Sequence, residues 1–243
     1  MSKYRARIYQ NYVDAWDKAS KPKSVSDFSS RAPTMLHVID TFFPKDKAAV
    51  ILDLGCGHGT LLHFAHKNGY RNAKGIDASA QQVALAADLG IENVEAGDLL
   101  AALESATADA VDVVVAFDVI EHFTKDELVN FVDAVWRVLR PGGRWIIHAP
   151  NGASPFVGAV RYGDLTHEQA FTTQSLQQLF VASGFSVCHF SECGPRVHGL
   201  KSLIRFALWK IVRNVFILMQ AAETGELNRK AILTRNLYAV AYK

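Results

Sequence analysis

With 243 residues, 49% hydrophobic and 21% charged, the chain is long enough to bury one full core as a single domain with attachments. A formal net charge of +2 without any long Lys/Arg run excludes a phosphate-tracking surface, so no nucleic-acid partner is expected and an acidic ligand must be met locally. Three cysteines make no disulfide framework and fit a reducing compartment.

In chain order, Met-Ser-Lys-Tyr-Arg-Ala-Arg leads into no apolar core of signal-peptide length, which predicts a cytoplasmic protein. Residues 1–47 read as a helical attachment, with Tyr9, Tyr12 and Trp16 at helical spacing followed by polar Lys21 to Ser30. From residue 48 onward, short apolar runs alternate with helical periods. This pattern predicts an α/β, Rossmann-like fold with a seven-stranded, mostly parallel sheet covered by helices on both faces. Strands are expected at about 49–54, 72–76, 92–96, 111–117, 143–149, 185–191 and 234–242. A helix over Lys125 to Leu139 is stopped by Pro141-Gly142-Gly143. The loop 150–172 is long for a compact domain, which marks it as functional, and a helix follows from Thr173.

The most informative stretch is Ala49 to Gly59, a buried strand breaking into a glycine-rich turn. Gly55 and Gly57 can take backbone angles that a Cβ would forbid, and the turn feeds a helix whose N–H groups face a ligand. Asp77 closes the next apolar run, where a doubly wound domain holds ribose hydroxyls. Thr60 replaces the third glycine of the dinucleotide fingerprint, and Asp53 would repel a pyrophosphate but suit an ammonium. With Gly97-Asp98-Leu99 and Asp118-Val-Ile-Glu-His122 following in order, the chain resembles the class I S-adenosylmethionine-dependent methyltransferases, strongly over residues 48–150 and more loosely beyond. The alternatives are an ordinary βα connection at the turn and a helix cap at Asp77.

The resemblance implies a cofactor-contacting set of Asp53, Gly55, Cys56, Gly57, Ile76, Asp77, Asp98, Leu99, Phe117 and Asp118. Asp53 would meet the methionine ammonium through water or backbone, and Gly55 and Gly57 would line the amino-acid portion. Cys56 reads as a small turn filler. Asp77 would accept both ribose hydroxyls, Asp98 the adenine amino group, Leu99 and Ile76 would sandwich the ring, and Phe117 would wall the methyl-donor end. Asp98 can equally be a turn residue. Residues 1–47 would form a helical lid over a methyltransferase domain at 48–243, excluding water from a reaction that disperses positive charge.

Substrate chemistry is expected beyond strands four and five. His167 is the expected general base, because its unperturbed pKa lies nearest neutrality, with Asp164 orienting the ring and His122 nearby. In the alternative reading, Asp164 caps a turn and His167 donates a structural hydrogen bond. Asp118, Glu121 and His122 also resemble a divalent-metal motif of some small-RNA and quinone methyltransferases, with His167 as a further ligand. The same wording occurs in metal-free relatives and Asp replaces the first Glu, so no metal ligand is assigned.

The stretch Arg161 to Phe171 and the turn ending at Phe185 resemble methyltransferases of bacterial polysaccharide and capsule biosynthesis. That likeness implies O-methylation of a sugar hydroxyl on a glycan or a nucleotide- or lipid-linked saccharide. The competing readings are N-methylation of a small phosphorylated amine and a non-catalytic cofactor-binding subunit. A helical insertion at 199–222 carries one apolar stripe, Leu200, Ile204, Ala207, Leu208, Ile211, Val215 and Leu218, with Lys201, Arg205, Lys210 and Arg213 on the remainder. Four charges argue against a membrane span. The favoured reading is packing on the domain or in a homodimer, ahead of weak membrane-surface contact, and Arg196 with His198 suits an anionic substrate.

Overall fold

The computed structural model describes residues 3–12 and 21–243. Seven strands form one sheet in the order β3-β2-β1-β4-β5-β7-β6: β1 Ile51–Leu54, β2 Ala73–Asp77, β3 Val94–Ala96, β4 Val111–Phe117, β5 Leu139–Pro150, β6 Val187–Glu192 and β7 Asn236–Tyr242. The first five run parallel, and β7 inserts antiparallel between β5 and β6. All four β1 residues are buried. Along β4, Val114 and Ala116 join one core layer and Val113 and Val115 the other, because successive strand side chains point to opposite faces.

The helices are α1 Lys3–Tyr9, α2 Ala32–Phe42, α3 Thr60–Lys67, α4 Ala80–Asp88, α5 Leu99–Ser105, α6 Lys125–Val138, α7 Val157–Arg161, α8 Thr173–Ala182 and α9 Leu200–Thr224, with short 3-10 turns at Val25–Ser30 and Ile120–His122. The fold class agrees with the sequence reading, and three details differ. Residues 25–43 are not a separate attachment: Phe28, Val38, Ile39 and Phe43 are buried in the same layer as Leu61 and Leu62 of α3. Helix α6 ends at Val138, and β5 starts before Pro141-Gly142-Gly143 because Leu139 pairs with Val111 across a bulge. Trp16 lies outside the described residues.

The third difference concerns α9. Of its residues only Ser202 and Ile217 are buried, and Leu200, Ile204, Leu208, Ile211, Val215 and Leu218 are all at least half exposed. The stripe expected to pack on the domain therefore points away from it. The docked face is the other one, held by Arg213, which donates to Glu192 and to the carbonyls of Arg229 and Ala231.

Candidate active site

A cavity of about 1240 Å³ opens at the carboxyl ends of the strands. That exceeds the 300–1,000 Å³ typical of a single small-ligand site and leaves room for two ligands side by side. At one end lies the glycine turn between β1 and α3. Gly55, Gly57 and Gly59 all have positive φ, at +69°, +54° and +76°. A Cβ on Gly55 would stand 2.4 Å from Val119 Cγ2, whereas one on Gly57 would meet nothing nearer than Gln82 at 3.9 Å. Gly57 thus faces open space that a ligand can approach. Its N–H donates to Asp77 Oδ2 at 2.8 Å, and Ser79 N–H donates to Asp77 Oδ1 at 2.8 Å, fixing that carboxylate at the tip of β2.

Asp53, on β1, lines the same cavity while only 3% exposed. Burial, reinforced by the charge of Asp77, pushes its carboxyl up to about 8. A buried acid facing a cavity with that electrostatic burden fits a cationic group such as an amino-acid ammonium. Asp77 is likewise raised by burial, though its two backbone donors oppose the shift. Leu99, Asp98, Phe117 and Asp118 also line the cavity. Asp98 is also the N-cap of α5, accepting from Leu100 and Ala101 through Oδ1. Ile76 departs from expectation. Its side chain lies in the core, and Ala78, Leu85 and Leu100 supply the apolar wall instead. Cys56 is a filler: its Sγ lies where a Cβ on Gly75 would stand 2.6 Å away, and burial raises its thiol pKa.

The other end of the cavity is built from the tips of β4 and β5 and the loop 151–171. Asp118 sits at φ +55°, a left-handed conformation that Asp tolerates better than most residues, and its Oδ1 lies 2.8 Å from His148 Nδ1. Burial opposes a charge on His148, but Asp118 overrides it and raises the imidazole pKa well above its ordinary value. Sequence reasoning passed over His148. The available signal was a polar residue interrupting Trp145-Ile146-Ile147 at the carboxyl end of a buried strand.

His122 and His167 bring their rings to 4.7 Å between centroids. Asp164 does not orient His167. Its Oδ1 accepts from the Thr166 hydroxyl at 2.6 Å, and that hydroxyl in turn accepts from His122 Nδ1 at 2.8 Å. The carboxylate therefore steers His122 through Thr166. Burial works against charge on Asp164, but hydrogen bonds from Thr166 and Tyr12 hold its pKa below the ordinary value. His122 is pushed down to about 4 by burial and by neighbouring His167, so it is neutral near pH 7. The orienting contact of His167 is the Val160 carbonyl, 2.9 Å from Nδ1. That partner requires the proton on Nδ1 and leaves Nε2 as an acceptor.

Nε2 of His167 lies 3.9 Å from Oε1 of Glu121, whose side chain is fully buried. Neither Glu121 oxygen has a hydrogen-bond partner among the described residues, and burial followed by the charge of Asp118 raises its pKa well above the usual range. One ligand atom from each of Glu121, His122 and His167 falls within 4.8 Å of the others, a donor set that suits a divalent cation.

Helix α1 contributes Arg5 and Tyr9 to the cavity lining, and Tyr12 follows. Arg5, 4% exposed, reaches both Glu127 oxygens at 2.6 Å and the His122 carbonyl at 2.6 Å. The Tyr12 hydroxyl donates to Asp164 at 3.0 Å, and the Tyr4 hydroxyl donates to Glu168. Burial raises the Tyr9 phenol to about 12.

Comparison with known proteins matches residues 28–189 to a family described as a methyltransferase domain. The chain is 31% identical over 175 residues to ajmaline N-methyltransferase of Rauvolfia serpentina, covering 62% of this chain and 59% of that protein. It is 32% identical over 139 residues to a probable S-adenosylmethionine-dependent methyltransferase of Mycolicibacterium smegmatis, covering 56% and 52% respectively. The chain thus spans little more than half the length of these curated relatives. A SAM-dependent methyltransferase from Archaeoglobus fulgidus superposes with a TM-score of 0.65 at 20% identity, over 88% of this chain and 94% of that one.

Proposed function

The chain belongs to the methyltransferase-domain family, and on that premise we propose that it takes its methyl group from S-adenosylmethionine and O-methylates a hydroxyl of a nucleotide- or lipid-linked saccharide. The observation that carries this reading is His167, whose Nδ1 meets the Val160 carbonyl and so leaves Nε2 to accept a proton, inside a cavity with room for two ligands. The donor supplies an electrophilic methyl on a sulfonium. What the protein must add is a place for the proton that a hydroxyl loses as its oxygen is methylated, and Nε2 of His167 is that place. The buried Glu121 carboxyl stands 3.9 Å from that nitrogen. Asp53, Gly57 and Asp77 hold the donor, while Asp118, His148 and Asn236 offer hydrogen bonds along the acceptor end. Lys21 and Arg31, also lining the cavity, suit the phosphates of a linked sugar. Tyr9 and Tyr12 close the site as a lid over the transferring methyl.

His167→Ala is expected to leave affinity for S-adenosylhomocysteine nearly unchanged and to slow transfer to a hydroxyl acceptor about a hundredfold or more. Calorimetry and a radiolabelled-methyl assay check the two halves. Full turnover in the variant would make His167 structural. An amine acceptor, the competing reading to which the likeness to an N-methyltransferase lends support, loses its proton in solution and would depend little on His167.

A second reading draws on the unpartnered Glu121 carboxylate. A divalent cation on Glu121, His122 and His167 would neutralise that group and polarise the acceptor oxygen. Turnover lost to a chelator, restored by one divalent ion and beyond rescue in Glu121→Ala, would select this reading. Turnover indifferent to chelation selects the base.

A further inference from the structure

The outward face of α9 is an apolar band that no other described residue covers. Residues 200, 204, 208, 211, 215 and 218 recur at three or four positions and therefore share one side of the helix. Leu200 is 74% exposed, Ile211 62% and Leu218 62%. A contiguous band of this kind along a helix of 25 residues, about 37 Å, exceeds the scattered apolar exposure of an ordinary surface. Lys201, Arg205 and Lys210 are exposed on its flanks, and the helix carries no acid before Glu223. Arg213 is committed to Glu192 on the opposite side, so the helix lies flat against the domain with the band facing away.

We propose that α9 seats the protein on the surface of an anionic lipid bilayer, with the apolar band entering the headgroup boundary and the flanking cations meeting lipid phosphates. The helix cannot serve as a span: among the described residues no helix is long and apolar enough to cross a membrane. Charge decides between a bilayer and a second copy of the chain. A second α9 would offer a matching band, but with the same three cations and only Glu223 to oppose them. An anionic surface complements all three. The seat adjoins the acceptor end of the cavity, because Phe216 of α9 packs edge-on against Phe156 at 5.6 Å, immediately before α7, whose Ala159 and Val160 line the cavity. The proposal does not depend on the acceptor's identity.

The test is co-sedimentation of the full chain with phosphatidylcholine vesicles containing or lacking phosphatidylglycerol. Binding to the anionic vesicles alone is expected, weakening as salt rises. Lys210→Gln should lower the partition coefficient by about fivefold, the worth of one basic residue near such a surface. Ile211→Asp with Leu218→Asp should abolish binding while S-adenosylhomocysteine affinity stays at the wild-type value, showing that the fold and the donor end of the cavity are intact. No sedimentation with anionic vesicles would overturn the proposal. So would vesicle binding that persists in the double variant, or a dimer in solution that Ile211→Asp dissociates.

Discussion

Asp53 illustrates how a single side chain couples burial to ligand chemistry. Its folded pKa, about 8, lies above its unfolded value, so ionising it costs stability as pH rises from about 4 to about 8. A bound ammonium reverses the balance by stabilising the carboxylate. Affinity for S-adenosylhomocysteine should therefore rise by about tenfold per pH unit between about pH 5 and 7, where the ligand amine stays charged, with a proton released on binding. Asp53→Asn should bind more weakly and lose that slope. Calorimetry in two buffers of different ionisation enthalpy reads both effects, and a flat profile in the wild type would separate Asp53 from the ammonium. Asp164 carries the opposite lesson. Three residues from His167 in sequence, it steers His122 instead, because Thr166 stands between Asp164 and the His122 ring.

At the scale of elements, α1 is held over the cavity by one buried guanidinium. Glu127 caps α6 and grips Arg5, and these contacts outweigh its partial burial and bring its pKa to about 2. Because that value lies below the unfolded one, the clamp is present above about pH 4.5 and is lost as pH falls toward about 2. Glu127→Gln should loosen α1 without unfolding the sheet, since Glu127 and the His122 carbonyl, which the Arg5 guanidinium meets, lie outside the strands. Hydrogen exchange at amides 3–9 is expected to quicken by tenfold or more, the consequence of losing about 1.5–3 kcal/mol of charged hydrogen bonding, and turnover should fall with it. Unchanged exchange would show that Tyr4 and Tyr12 hold α1 alone. Helix α9 was legible as amphipathic from its period, but its orientation was not. The apolar stripe marks a face without saying what covers it, and Arg213 gives the opposite face its docking contact to Glu192.

For the whole molecule, donor binding and stability are linked through the cavity. At one hundred times its Kd, S-adenosylhomocysteine adds about 2.7 kcal/mol, which for a domain of this size raises Tm by roughly 5–10 °C. Gly57→Val should abolish that shift, because valine at φ +54° is strained and fills the approach to the turn. A wild-type shift in the variant would remove Gly57 from the site. The parallel sheet, the glycine turn, the positions of Asp53 and Asp77 on their strands and the placement of the strands to within about four residues were all determined by sequence, since they depend on local periodicity, buried β-branched runs and backbone angles that few residues allow. The inward place of Phe28 and Val38, the retreat of Ile76 into the core and the pairing of His148 with Asp118 were decided only by tertiary structure. Each depends on which distant segments share a face of the sheet, and a one-dimensional pattern of polarity carries no record of that.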